Sequence, residues 1–325
     1  ASGATGTCSH GDGDVDLPAG PVARLSSTVF MAGPMKRYPS QPGSAFSTAW
    51  MGSPPFDPTP LAEWADKLHS WMSAFFKDQA EPPYRVFLRY NPINAGGGAA
   101  LPNSFLATYG STGSADALRG TIAHEMTHTW TSAGGPGQWY GEGNAVYYQR
   151  LLPLRAGLFT PQEFLDDLNE TASRYYSNAL NATPDGAIAA RFWEDTRIRV
   201  LPYDRGAMYF AVLDEKIRAA SGGKRKVDDL VFEVIARNRR GAATSDAQWR
   251  ALQAKELGAA GPQLHVAMLR GELMLPGPAA FGPCFTRTIG NVRRFELGFD
   301  PRSLVGDVKT IRGLQAESEA ARAGQ

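Results

Sequence analysis

The sequence predicts an α+β fold in which an α/β region is followed by a helical one. Three observations support this prediction: a helix-spaced apolar pattern near residue 60, a strand-like alternation over residues 84–90, and helical patterns with cap signals from Ser114 onward. The length of 325 residues suits one large two-lobed domain or two domains. We therefore divide the chain into residues 1–22, 23–113, 114–275 and 276–325.

Composition and charge argue against several classes of function. Apolar residues make up 43% and charged residues 20%, which is typical of a globular protein, and no run approaches the ~20 apolar residues of a membrane span. The net charge of +1, without a Lys/Arg tract, gives no electrostatic basis for binding nucleic acid. Cys8 and Cys284 are too few for a disulfide framework and either pair or stay free. The expected partner is a peptide or another small substrate, and the oligomeric state is left open.

The first 113 residues contain a flexible start, a helix and a strand. Residues 1–22 are polar and Gly-rich, so we expect a flexible segment. They lack the basic and apolar regions of an export signal, so any such signal is expected to be already removed. The stretch TPLAEWADKLHSWMSAFF predicts an amphipathic helix, with Thr59 as its N-cap and Pro60 at its first position. After a Pro-Pro break, YRVFLRY alternates in the manner of a strand with one buried side.

The segment RGTIAHEMTHTW, residues 119–130, carries two histidines four positions apart and a glutamate after the first. His124 and His128 fall on the helix face opposite an apolar stripe of Leu118, Ile122, Met126 and Trp130. Side chains at this spacing have Cβ atoms ~5–6 Å apart, so both imidazoles can reach one zinc ion at about 2.0–2.1 Å. Glu125 lies beside them, where a general base is needed. The alternative is a chance pattern on a surface helix, and the opposed apolar stripe favours the zinc site.

A catalytic zinc needs a third protein ligand and one open position. Glu142, in WYGEGNAVYYQRLL, follows His128 by fourteen residues and opens another predicted helix. An acidic residue near a helix N-terminus is also common for purely structural reasons. The other histidines, His10, His69 and His265, lie in contexts typical of structural residues.

Cap signals divide the rest of the helical region. Helices are predicted to open at Thr160 and Ser245, and Gly222-Gly223 is predicted to close one. Pro153 is predicted to kink or end the Glu142 helix near Leu152.

Two segments resemble a known class of enzyme. The His-Glu-x-x-His pattern followed by Trp139-x-x-Glu142-Gly143 is similar to the gluzincin metallopeptidases. GEGNAVYYQRLLPLRAGLFTPQEFLDDL and LPYDRGAMYFAVLDEKIR are more closely similar to the glycyl-aminopeptidase family of that clan, over residues 60 to 275, and the tail from FELGFDP resembles the start of a PDZ domain. The resemblance implies a thermolysin-like two-lobed metallopeptidase with an α/β N-lobe and an all-helical C-lobe, exported to the periplasm or secreted.

The resemblance also implies a role for individual residues. His124, His128 and Glu142 match the ligands of one Zn²⁺, Glu125 matches the general base, and Tyr203 matches a tyrosine that hydrogen-bonds the tetrahedral intermediate. Zinc lowers the pKa of bound water from 15.7 to about 7, a carboxylate can carry its proton to the leaving amine, and a phenol can stabilise an oxyanion. Tyr203 could instead pack at a helix entry, and the competing phenols are Tyr147, Tyr148 and Tyr209.

One departure from the family concerns recognition of the substrate's α-amine. The family carries an acidic residue on the edge strand beside the cleft, whereas the corresponding residues 96–103 contain none. Gly97, Gly98 and Ala99 still let a substrate backbone approach and pair with the strand. Asn103, Glu194 and Asp195 are the candidates to bind the amine instead.

We therefore predict a zinc metallopeptidase, most specifically an aminopeptidase that releases small N-terminal residues such as glycine or alanine. An endopeptidase or another amide hydrolase is the alternative within enzymes, because the carboxylate near Gly98 is missing. A non-catalytic, zinc-containing peptide-binding protein is the alternative from another class.

Overall fold

The structure, a computed structural model, describes residues 5–40, 43–80, 82–291, 296–304 and 309–324. Strands lie in the first third of the chain and helices dominate the rest, so the predicted α+β class is confirmed. The chain forms two compact units: Ala1–Thr129 with Gln149–Pro161, and Trp130–Tyr148 with Gln162–Gln325.

Eight strands among the described residues form two sheets. They are β1 (Thr5–Cys8), β2 (Gly11–Asp12), β3 (Phe30–Gly33), β4 (Lys36–Tyr38), β5 (Phe46–Trp50), β6 (Tyr84–Tyr90), β7 (Gly98–Leu101) and β8 (Ser104–Tyr109). The first sheet has the order β2-β1-β3 and is antiparallel. The second has the order β4-β5-β6-β8-β7, in which β5, β6 and β8 are parallel and both outer strands are antiparallel to their neighbours.

Strand β6 is the centre of the larger sheet and forms the predicted strand YRVFLRY. Tyr84, Val86 and Leu88 are buried as expected, but Phe87 on the other side of the strand is buried too, and Tyr90 is exposed. Parallel neighbours on both sides and covering layers on both faces explain this burial pattern. The expectation of one buried side is therefore wrong for this strand.

The first residues of the chain are paired, in contrast to the flexible segment expected over residues 1–22. Strand β1 pairs with β2 and with β3, and the hydroxyl groups of Ser9 and Ser104 are 2.9 Å apart. Met31 of β3 forms an apolar cluster with Ala49 and Phe87 of the larger sheet. The composition of residues 1–22 does not predict these strands, because they are stabilised by pairing and contacts with segments distant in sequence.

Eleven helices of the described residues follow or separate these strands. They are α1 (Pro58–Phe75), α2 (Asp116–Thr131), α3 (Gln138–Arg155), α4 (Pro161–Tyr176), α5 (Ile188–Arg191), α6 (Thr196–Arg199), α7 (Leu201–Ala220), α8 (Val227–Arg239), α9 (Asp246–Leu257), α10 (Ala260–Leu269) and α11 (Glu319–Arg322). The capping box of Ser245 and Gln248 opens α9 as predicted. Helix α1 begins earlier than predicted, because the side chain of Asp57 rather than that of Thr59 accepts the capping hydrogen bond.

The division between the units falls inside α2 and α3, and not between residues 113 and 114, where the sequence predicts a boundary. The first part of α2 belongs to the unit that contains the sheets. There the guanidinium of Arg119 lies 5.4 Å from the ring of Phe159 and 5.8 Å from that of Trp64, and Trp64 donates to the carbonyl of Leu158 at 3.0 Å. These contacts fix the start of α2 and the chain after α3 against α1.

Helix α3 runs to Arg155 and thus does not end near Leu152; of the two predicted effects of Pro153, an end is wrong and a kink stays a prediction. In residues 276–325, the described parts contain a 3₁₀ helix at Pro301–Leu304 and α11, but no strand; part of this predicted extension lies outside the described residues.

Both cysteines are free thiols. No helix among the described residues has the length and apolarity needed to cross a membrane.

Candidate metal centre

The apolar stripe of α2 is buried as its sequence predicts. Leu118, Ile122, Met126 and Trp130 are each at most 4% exposed. Because these residues anchor one side of the helix, the side chains on the opposite face have a fixed orientation. That face carries His124 and His128.

His124, His128 and Glu142 are brought together on α2 and α3. One potential ligand atom from each residue lies within 4.8 Å of those of the other two. The Nε2 atoms of His124 and His128 are 3.2 Å apart. Two nitrogen ligands of a tetrahedral zinc ion at about 2.0–2.1 Å would be about 3.3 Å apart, so the spacing of the two imidazoles fits zinc. The donor set, two imidazoles and one carboxylate, is that of a catalytic zinc site with an open position.

Gln149 determines which nitrogen of His124 is available to a metal. Its Oε1 lies 3.0 Å from Nδ1 of His124. An amide oxygen can only accept, so Nδ1 carries the proton and the lone pair is on Nε2, which faces His128. Gln149 follows Glu142 by seven residues, or about two turns of α3, so both side chains lie on the same face of one helix. No motif in the sequence indicates this role for Gln149.

Two glycines set the position of α3 relative to α7. A Cβ on Gly143 would lie 2.7 Å from the backbone of Gly206, and a Cβ on Gly206 would lie 2.7 Å from both Gly143 and the carbonyl of Trp139. The helices therefore cross in backbone contact next to Glu142. Rings on either side of the crossing pack together, with Trp139 5.4 Å from Tyr209 between ring centroids. The glycine of the Glu-Gly pair is thus explained by helix packing.

The first turn of α7 carries Tyr203, which is half-buried, and is held by two arginines. Arg174 of α4 donates to both carboxylate oxygens of Asp204, at 2.7 and 2.5 Å, and Asp204 is fully buried. The buried Arg205 donates to the carbonyl of Thr183 at 2.6 Å. Bidentate pairs of this kind restrict orientation, so the backbone that bears Tyr203 is fixed.

Glu125 is half-buried and electrostatically linked to the sheet. Burial, reinforced by the negative charge of Glu125, raises the pKa of Tyr84 well above its ordinary value. Tyr84 begins β6 and its hydroxyl is buried without a hydrogen-bond partner among the described residues. Tyr84 therefore remains a neutral phenol and does not add charge near Glu125.

The predicted substrate residues Gly97, Gly98 and Ala99 lie at and within β7, the edge of the larger sheet. Thr108 uses its backbone amide and its hydroxyl to bind the carbonyl of Gly97, at 2.9 and 3.0 Å. A Cβ on Gly98 would lie 2.4 Å from the ring of Phe105 and from the carbonyl of Leu106. Packing within the β7–β8 hairpin is therefore sufficient to require glycine at position 98. The close approach of a substrate backbone, predicted from the sequence, is a second reason for glycine there.

One of the candidates for binding a substrate amine, Asp195, is committed to local structure. Asp195 caps α6 through the backbone amide of Arg197, and its carboxylate also accepts from the guanidinium of Arg197 at 2.8 Å. Asn103 occupies the turn between β7 and β8 with a positive φ of 50°. Glu194 is exposed and has no such assignment among the described contacts.

The remaining histidines and phenols have structural surroundings. His69 is fully buried beside Phe46 and Tyr84, with ring centroids 6.0 Å away in each case. His265 is buried within ion-pair distance of Asp246. Tyr148 donates to Asp228 at 2.8 Å, and the hydroxyl of Tyr209 accepts from Trp249 at 3.0 Å. Among the phenols considered, Tyr203 alone is not buried in the helical core.

Comparison with known proteins supports the resemblance stated above. Residues 134–187 match the sequence model of a family described as M61 glycyl aminopeptidase. The matched stretch contains Glu142; it begins after His128 and ends before Tyr203. No curated protein sequence matches the chain.

Solved structures share the fold at low sequence identity. An aminopeptidase N family protein from Idiomarina loihiensis superposes with a TM-score of 0.70 at 15% identity, over 86% of this chain and 55% of that one. An M1 zinc metallopeptidase from Deinococcus radiodurans gives 0.50 at 16% identity, over 85% and 63%. Yeast LTA4 hydrolase gives 0.50 at 16% identity, over 77% and 41%. The chain thus spans less than two thirds of the length of each. It has the fold of these metallopeptidases, and its residues 134–187 carry the sequence pattern of the glycyl aminopeptidase family.

Proposed function

We propose that the protein is a zinc-dependent peptide hydrolase, and specifically an aminopeptidase that releases small N-terminal residues. The observation that carries this proposal is the convergence of His124, His128 and Glu142, with ligand atoms within 4.8 Å of one another, on a fold shared with zinc metallopeptidases. The family match over residues 134–187 supports glycine as the favoured N-terminal residue.

Each residue of the candidate site has its own role in the proposed hydrolysis. His124, His128 and Glu142 would hold one zinc ion, which when bound supplies the Lewis acidity that makes water a nucleophile at neutral pH. Glu125 takes the proton of the attacking water and passes it to the departing amine, a contribution of ~10²–10⁴ to the rate. Tyr203 donates its phenolic proton in a hydrogen bond to the developing oxyanion. Strand β7 pairs with the substrate backbone through its free edge.

Cleavage within a peptide is the second candidate function, and the surroundings of β7 favour it. An aminopeptidase needs an acceptor for the substrate's positive α-amine, but β7 carries no carboxylate and Asp195 is already paired with Arg197. Glu194 is the remaining acidic candidate. If Glu194 does not bind the substrate's α-amine, an internal peptide bond is the better substrate, because substrate binding would then depend on backbone pairing alone.

Metal analysis and two classes of substrate test the proposal. Purified protein should contain about one zinc per chain, lose hydrolysis on chelation and regain it with Zn²⁺. Glycyl and alanyl anilides should be hydrolysed faster than N-blocked, internally quenched peptides, and hydrolysis of the blocked peptides alone would replace the aminopeptidase with the endopeptidase.

A base-removing variant separates a catalyst from a zinc-containing binding protein. Glu125→Gln keeps the size of the side chain and should reduce turnover by ~10²–10⁴ while zinc content is unchanged. Gln162→Glu, on the exposed start of α4, is a matched charge-changing control and should leave turnover unchanged. If no substrate is turned over by the unmodified protein with zinc bound, the enzymatic proposal fails.

On the family resemblance alone, we also propose that the protein acts outside the cytoplasm and that residues 276–325 belong to a PDZ domain. Cell fractionation with an antibody against the protein tests the first point. Limited proteolysis of a chain extended beyond residue 325 tests the second, because a complete PDZ domain should be released as a stable fragment.

A further inference from the structure

A second concave site lies at the carboxyl ends of the parallel strands in the unit that contains the sheets. Its volume is about 390 Å³, and the residues that follow or end β5, β6 and β8 line it: Met51, Gly52, Ser53, Leu88, Arg89, Tyr90 and Tyr109, together with Met31. Ligands of open α/β sheets commonly bind at this end of the strands. None of the lining residues belongs to α2 or α3, so this pocket is separate from the candidate metal centre.

The floor of the pocket is apolar and fixed. Met31, Leu88 and Tyr109 are buried, and the hydroxyl of Tyr109 donates to the carbonyl of Met51 at 2.9 Å. Gly52 has a φ of 79°, and a Cβ there would lie 3.2 Å from the same hydroxyl. The glycine therefore lets the loop after β5 close over Tyr109 without filling the pocket.

The rim of the pocket carries one positive charge. Arg89 is exposed, and its guanidinium makes no ion pair or hydrogen bond within the part of the chain that the structure describes. No acidic residue lines the pocket. Beside Arg89, Tyr90 is 52% exposed, and its ring centroid is 5.7 Å from that of Tyr109. An apolar floor next to an aromatic ring and an unpaired guanidinium complements a molecule with an apolar body and an anionic end.

We propose that this pocket binds a small amphiphilic monoanion, with an aryl or branched alkyl body on Leu88, Tyr90 and Tyr109 and a carboxylate on Arg89. The volume is at the lower end of the ~300–1,000 Å³ typical of ligand sites, which suits one small molecule. A single guanidinium presents a planar pair of donors that matches one carboxylate.

Binding of 3-phenylpropionate to the zinc-loaded protein tests the proposal, with its neutral amide as the matched probe. Ligand-observed NMR titration should show saturable binding of the carboxylate and at least about tenfold weaker binding of the amide, because a hydrogen bond to a charged group is replaced by a neutral one. Arg89→Gln should weaken carboxylate binding to the level of the amide, and Arg89→Lys should retain part of it. Arg240→Gln, an exposed arginine at the end of α8, is the control and should bind as the unmodified protein does.

Two further measurements distinguish binding in this pocket from binding at the candidate metal centre. Carboxylates also bind zinc, so the titration is repeated after chelation, where binding at the pocket should persist. Tyr90→Ala, which removes an exposed wall without touching the core, should weaken both probes several-fold. Binding that disappears with zinc, equal binding of acid and amide, or unchanged binding to a folded Arg89→Gln protein would each overturn the proposal.

Discussion

Replacing Gln149 with methionine tests whether the candidate centre is organised for a metal ion. Methionine has nearly the same length and is apolar, so the substitution removes the acceptor that lies 3.0 Å from Nδ1 of His124 and leaves the packing volume similar. His124 is only 9% exposed, so water replaces the lost acceptor poorly. An unsatisfied buried donor costs about 1–3 kcal/mol, which corresponds to roughly 5- to 150-fold. Substitutions of residues that orient metal ligands weaken metal binding by about 10- to 100-fold, which agrees.

The assay is competition for Zn²⁺ between the protein and a chromophoric chelator at neutral pH. We expect the affinity of Gln149→Met for zinc to fall by about 10- to 100-fold, while Gln149→Glu, whose carboxylate is a stronger acceptor, binds zinc at least as tightly as the unmodified protein. Gln162→Met on the exposed start of α4 is the matched control and should change nothing. An unchanged circular dichroism spectrum shows that each variant is folded. If folded Gln149→Met binds zinc within about twofold of the unmodified protein, the assigned tautomer and the role of Gln149 are wrong.

Three other perturbations have defined outcomes. Gly206→Ala places a methyl group 2.7 Å from the backbone of α3 and should cost about 1–3 kcal/mol or more in urea unfolding, whereas Gly186→Ala, which meets nothing within 4 Å, should cost little. Asp204→Asn removes the buried charge of the Arg174 pair and leaves Arg174 with the exposed Glu170 at 3.9 Å; since Arg174 is about a third exposed, we expect a loss of about 2–3 kcal/mol and a lower kcat at unchanged zinc affinity. Burial lowers the pKa of His265 to about 4, below that of an unfolded histidine. The free energy of unfolding of the chelated protein should therefore be highest above about pH 6.5 and fall by on the order of 3 kcal/mol toward pH 4. His265→Gln should flatten this pH dependence, and an equal slope in both proteins would contradict the prediction.

The parts of the centre that the sequence could predict are those that depend on helical periodicity. The stripe from Leu118 to Trp130 repeats every four residues, and its burial follows directly. The same periodicity places His124 and His128 on the other face, one turn apart. The position of Glu142 after His128 made it a candidate ligand, and only the family resemblance gave it that role, because fourteen residues with a loop between them fix no distance by themselves.

The parts that the sequence could not predict depend on contacts between distant segments. Nothing in the local pattern of Gly143 indicates that Gly206 lies against it, since either glycine could serve a turn. Strand β1 is too short and polar to show alternation, and it is held by pairing with β3 and by Ser9 near Ser104. Asp57 and Thr59 are both suitable N-caps, and only the geometry of the chain distinguishes them.

Helix α3 links the composition of the centre to its geometry. It supplies the candidate third ligand, Glu142, and two turns later the acceptor for His124, Gln149, so one helix both adds a ligand and selects the tautomer of another. An error in the rotation of α3 would displace both side chains together, since they share one face. Such an error is opposed at Gly143, where backbone contact with Gly206 leaves no room for α3 to turn a side chain toward α7. The requirement for glycine at 143 and the requirement for an acceptor at 149 are thus consequences of one condition, the fixed rotation of α3.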